Sequence, residues 1–237
     1  MSLLWQRAMG WAMAMCFVAS CAPVAGIGRA RTLGKGRYEV GVGPDVTVVT
    51  GQLSSGKVPL PSAQLVAGVR YGVSDDADVG GKAWGISLGK YLLESWGVAG
   101  EVKWQLRRAP LELGRRGTDV ALGLQGTFHN VVLGGTPERM LGASMPLLFG
   151  WRVGAANQLV ASLRVDYQVW TGESQTPLAL GLAGGSVGFV WQWTERWSFM
   201  PELAVLWSPL SFNGESGGQD SRGLSILSLG LGIHYRR

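Results

Sequence analysis

His129 and His234 are the chain's only imidazoles. A histidine beside a carboxylate and a serine could run acyl transfer, the ring taking the proton of the hydroxyl as it attacks. Neither histidine sits in such a motif. His129 lies in 118-TDVALGLQGTFHNVV-132 with no serine motif beside it, and His234 stands next to Tyr235 at the chain end. A structural role accounts for both, so the expected catalytic set is empty and the chain is read as a non-enzyme. There is no phosphate loop, zinc spacing or Rossmann fingerprint, so no metal and no cofactor are expected.

A second set of residues could do electrostatic work. Glu39, Arg70, Glu101, Lys103, Asp119, Arg152, Arg164, Asp166 and Glu202 carry both signs and recur on the polar face of alternating segments. Away from water such charges must pair. Two uses stay open: a salt-bridge network that fills an interior, or a charged constriction that selects small solutes.

The elements that must position these residues are strands. In 224-LSILSLGLGIHYRR-237, Leu227, Leu229, Leu231, Ile233 and Tyr235 alternate with Ser228, Gly230, Gly232 and His234. A strand has a side-chain period of two, so one face is apolar and the other small or polar. The pattern recurs about ten times. The expected strands cover about 37–50, 62–73, 77–92, 95–107, 118–132, 139–154, 159–169, 178–194, 197–209 and 224–237. Their length suits the 9–11 tilted residues that cross a bilayer better than the roughly five or six of soluble sheets. The third strand is read with Trp84, Ile86 and Leu88 on its apolar face. Pro44 marks a bulge or break in the first.

Composition agrees. Hydrophobic residues make up 46% and charged ones 16%, and 37 of 237 residues are glycine. That charged share is low for a soluble domain. After residue 25 there is no apolar run long enough for a membrane helix. The net charge of +5 is spread thinly, with no basic patch for nucleic acid.

Residues 1–20 read as a secretory signal peptide: Arg7, then the apolar run 8-AMGWAMAMCFVAS-20. Val18-Ala19-Ser20-Cys21 resembles the bacterial lipobox, which implies cleavage before Cys21 and its lipidation. An ordinary cleavage site nearby, such as after Ala25, is the alternative. On the lipobox reading Cys16 leaves with the signal and Cys21 carries lipid, so no disulfide forms. Residues 21–36 are then a lipidated, flexible tether of small and basic residues, and 37–237 the strand domain.

The aromatics sharpen the topology. With both termini in the periplasm, Tyr38, Tyr71, Trp104, Trp151, Trp191, Trp193, Trp197 and Tyr235 fall near one interface. Trp96, Trp170 and Trp207 fall near the other. Rings with an apolar body and a polar tip prefer those boundaries.

The phrases 71-YGVSDDADVG-80 and 98-VAGEVKWQL-106, and the pattern over 37–237, are similar to small porin-like outer-membrane β-barrels of Gram-negative bacteria. The fold expected is all-β: an antiparallel up-and-down transmembrane β-barrel of about ten strands, with eight or twelve as alternatives. The resemblance implies a place in the bacterial outer membrane, with membrane lipids and the barrel-assembly machinery as partners. The function expected is non-enzymatic: a narrow pore for small solutes or a structural, surface-presenting barrel. Alternatives are a lipid-modifying barrel enzyme and a lipid-tethered periplasmic β-sandwich.

Overall fold

The computed structural model describes residues 28–50, 52–53, 56–57, 60–87, 93–110, 117–133, 136–154, 156–171, 178–212 and 224–237. The signal segment and Cys21 lie outside the described residues.

The strands are β1 (Tyr38–Thr50), β2 (Gln52–Leu53), β3 (Gly56–Lys57), β4 (Leu60–Gly72), β5 (Ala77–Ser87), β6 (Leu93–Arg107), β7 (Thr118–Leu133), β8 (Thr136–Val153), β9 (Asn157–Trp170), β10 (Leu178–Gln192), β11 (Trp197–Phe212) and β12 (Leu224–Arg236). β2 and β3 pair only with each other. The other ten close into one barrel in which every strand pairs antiparallel with its sequence neighbour and β12 returns to β1. Closure removes the two unpaired edges that an open sheet would leave. Both β1's start and β12's end lie at one mouth, called here the terminal end.

Alternation decides which side chains face out. Val40, Val42 and Val46 on β1, and Leu227, Leu229, Leu231 and Ile233 on β12, are exposed on the outer wall, while Asp45, Thr47 and Ser228 between them are buried inside. The same division runs round the barrel, from Val98 and Trp104 on β6 to Leu203 and Val205 on β11. The apolar surface is thus turned outward, the reverse of a soluble globule.

Pro44 interrupts one side of β1 only. Pairing with β4 is continuous through Pro44↔Leu65. Pairing with β12 runs to Val42↔Ile233 and resumes at Asp45↔Gly230 in the same register, so the ladder is broken but not shifted. Proline has no N–H to give that neighbour. Gly43 is needed at the gap, because a Cβ there would collide with the Leu231 carbonyl.

Two sequence expectations are corrected. Trp84 faces the lumen, not the outer wall: it is buried while Val79 and Ala83 are exposed. Its indole fits inside because Gly97, opposite it on β6, has no side chain; a Cβ at Gly97 would strike the ring. Residues 28–36, read as part of a flexible tether, are packed within the terminal end. Ala30, Thr32 and Leu33 are all buried. Their small size and alternating basic partners suit a narrow, charged lumen.

Candidate functional site

The site is the lumen at the terminal end, occupied by residues 28–36. Gly34 and Gly36, at φ +87° and +78°, turn the chain out of the lumen toward β1, a conformation open to glycine. Within the lumen the segment makes no sheet of its own, so its backbone groups bond to the wall. Thr32 N–H donates to Gln105 Oε1 at 2.7 Å and Leu33 N–H to Asp78 Oδ1 at 3.0 Å. Lys103 Nζ donates to the carbonyls of Arg29 and Arg31 at 3.0 and 3.2 Å. Arg236 Nη2 donates to the Leu33 carbonyl at 2.8 Å. Gly36 N–H donates to the Gly72 carbonyl at 2.8 Å.

The side chains hold it too. Arg31 reaches Asp119 Oδ1 from Nη2 at 3.0 Å and from Nε at 3.1 Å, and also donates to the Ala109 carbonyl. Arg29 lies 3.8 Å from Glu39 and 3.3 Å from Gln192. Ala30, fully buried, belongs to an apolar cluster with Ala121, Leu148, Val160, Val190 and Met200. These partners come from all ten strands of the barrel, so the segment spans the bore.

One layer further in, the charges of the wall pair with one another. Arg70 Nη2 is 2.7 Å from Glu101 Oε1, and Arg70 Nη1 is 3.6 Å from Glu39. Lys82 stands 3.1 Å from Glu101, and His234 Nδ1 3.6 Å from Glu39. Lys103 pairs with Asp78 at 3.0 Å, and Arg164 with Asp166 two residues along β9 at 2.7 Å. Of the nine charges singled out in the sequence, Glu39, Arg70, Glu101, Lys103 and Asp119 thus gather at the terminal end. Arg164 and Asp166 form their own pair, while Arg152 on β8 and buried Glu202 on β11 also point inward.

Sequence reasoning missed Asp78 and Lys82. Both share the parity of Trp84 on β5, so taking Trp84 as outward hid them. Val79 was the available signal: an apolar residue of opposite parity beside Asp78. Arg29 and Arg31 were missed because a tether has no parity to read.

A cavity of about 70 Å³ lies inward of Arg70 and Glu39, with Asp45, Lys82 and Glu202 also in its lining. It has room for a handful of waters. Deeper, Leu182, Ala204, Leu206 and Ile226 form a second apolar cluster. At the far half Ser95 Oγ lies 2.7 Å from His129 Nε2, and the His129 ring meets Trp84 edge-on at 5.8 Å. Ser95 and His129 are buried, and His129 Nδ1 has no hydrogen-bond partner among the described residues.

On the outer wall, Tyr71, Trp104, Trp151, Trp191, Trp193 and Trp197 are exposed at the terminal end. There Tyr38 and Trp197 both meet Tyr235, at 6.4 and 5.0 Å between ring centres. Trp96 packs beside Phe128 at 5.6 Å at the opposite end, where Trp207 is also exposed. The side chain of Trp170 lies outside the described residues.

No protein-family model matches the chain, and no curated protein matches it. Solved structures do. An outer membrane channel from Pseudomonas putida F1 aligns over 90% of this chain and 100% of its own, with 10% identity and a TM-score of 0.52. The outer membrane protease OmpT from Escherichia coli aligns over 88% and 100%, with 9% identity and a TM-score of 0.48. The outer membrane protein OprG from Pseudomonas aeruginosa aligns over 89% and 99%, with 12% identity and a TM-score of 0.37. The first of these supports the fold, that of an outer-membrane β-barrel.

Proposed function

We propose that the chain is a non-enzymatic outer-membrane β-barrel whose lumen is closed at rest, a structural or surface-presenting barrel and not a standing pore. The observation that carries this is the filling of its interior. Segment 28–36 spans the terminal end, and beyond it the inward side chains are buried against one another. The outward apolar face, with aromatics at both ends, is what a bilayer would solvate. On this reading the signal peptide directs export, Cys21 carries lipid, and both termini face the periplasm. The barrel meets membrane lipids and, during biogenesis, the assembly machinery. The test is fractionation with gel mobility. The folded chain is expected in the outer-membrane fraction and to run differently in SDS before and after boiling. Unchanged mobility together with release by high salt would overturn the reading.

The 2.7 Å contact of Ser95 with His129 favours a second reading, a lipid-modifying barrel. An imidazole in that position can take a serine proton. Burial of both groups weighs against it, and among the described residues no carboxylate bonds Nδ1 to orient the ring. His129→Ala that leaves lipid composition unchanged would dismiss it.

A further inference from the structure

We propose that residues 28–36 are a releasable plug, and that their withdrawal opens a cation-preferring path in which Asp119 is the binding point that Arg31 vacates. The inference rests on the membrane-barrel reading. Three features carry it.

First, the segment holds its place by contacts that water can replace. Its main ties are hydrogen bonds and ion pairs to Gln105, Asp78, Lys103, Asp119 and Arg236. Only Ala30 and Leu33 bury apolar side chains. A segment with few apolar contacts and no sheet pairing opens more readily than the strands around it. Second, its removal leaves the barrel intact. All ten strands pair with one another and none pairs with residues 28–36. Third, the plug is cationic at the points that matter. Arg29 and Arg31 set two guanidinium groups against Glu39 and Asp119. Withdrawal also takes the plug carbonyls from Lys103 and Arg236, but Lys103 keeps Asp78 and Glu39 keeps Arg70, whereas Arg31 is the one cation paired with Asp119 among the described residues. The vacated notch presents Asp119, held in place by the Ala109 N–H on Oδ1 and Gln158 on Oδ2, beside the Ala109 carbonyl, a charged and a neutral acceptor fitted to a guanidinium or ammonium group.

The experiment compares the full chain with a variant in which 28–36 is replaced by Gly-Ser sequence of equal length. Both are placed in planar bilayers only after each shows heat-modifiable gel mobility, so loss of the membrane-barrel reading is seen separately. The expected result is at least a tenfold increase in open time in the variant, with a reversal potential favouring K⁺ over Cl⁻ across a salt gradient. Asp119→Asn in that background should lower the preference. A folded variant that conducts no more than the unaltered chain, or that favours Cl⁻, overturns the proposal. Where the variant does not assemble, Ala30→Cys in the full chain decides. Labelling of residue 30 by a small charged thiol reagent within minutes, read by mass spectrometry, supports release; none over hours refutes it.

Discussion

The Arg70 guanidinium donates to one oxygen of Glu101 from two nitrogens, Nε at 2.9 Å and Nη2 at 2.7 Å. Its remaining nitrogen points to Glu39. One side chain on β4 thereby links a carboxylate on the adjacent β1 to one on β6, which lies beyond β5 on the other side. Such a pair gains little over apolar packing, but breaking one half strands a charge in a dry place.

Glu101→Gln should therefore cost about 3–5 kcal/mol of barrel stability. The triple replacement Arg70→Met, Lys82→Met and Glu101→Leu, which removes both cations that face Glu101 and leaves Glu39 its Arg29, should cost less than that single change. Urea unfolding of the barrel in lipid vesicles gives both values. Equal costs for the single and triple changes would mean that the group is solvated and not buried.

Trp84 offers a test of facing. Its indole lies over Gly97 inside the barrel, whereas Trp96, its near neighbour across the β5–β6 ladder, is on the outer wall. In vesicles of bromine-substituted lipids, a variant retaining only Trp96 should be strongly quenched and one retaining only Trp84 should not. Gly97→Ala should destabilise the barrel by about 1–3 kcal/mol, because the added methyl overpacks the ring.

How far the sequence reaches is visible in those two tryptophans. Trp96 was readable because Val98, Trp104 and Leu106 repeat its parity over a long strand. β5 is shorter and rich in glycine, and a lone large aromatic outweighed Val79 in setting its phase. With Trp84 read outward, Asp78 and Lys82 share its face and cannot be recognised as lumen charges. The plug was illegible for a different reason. Residues 28–36 carry no period, and their order comes from side chains far along the chain, such as Asp119 and Arg236. The Ser95–His129 contact was likewise invisible, since only the β6–β7 register brings those positions together.

Gly43 governs closure. A methyl there meets the Leu231 carbonyl at the point where Pro44 already interrupts the β1–β12 ladder. Gly43→Ala should lower the folded fraction on refolding into detergent severalfold, read by the unboiled gel band. Gly100→Ala, where nothing lies within 4 Å of the new methyl, serves as the control and should fold as the unaltered chain does.

On the proposed lipoprotein reading, lipid attachment at Cys21 is separable from folding. Residues 22–27 are the whole span between Cys21 and the plug, at most about 24 Å when extended. Cys21→Ser should abolish palmitate incorporation while leaving the heat-modifiable band unchanged. Retained label would place the acyl group elsewhere.

Lys103 is the last and most local test. Its ammonium ties Asp78 on the wall to the Arg29 and Arg31 carbonyls of the plug. Lys103→Met keeps the length of the side chain and removes all three contacts. Hydrogen bonds to a charged group contribute about 1.5–3 kcal/mol each. Loss of even one should speed local opening about tenfold to a hundredfold, since each 1.4 kcal/mol is a factor of ten. The effect belongs at the Thr32 and Leu33 amides, whose acceptors Gln105 and Asp78 hold the plug against β5 and β6. Amides of β1 and β12 bond to each other and should keep their protection. Hydrogen exchange resolved by residue separates the outcomes. Faster exchange confined to 32 and 33 shows a plug that opens on its own. Equal acceleration through the strands would show that plug and wall unfold as one unit.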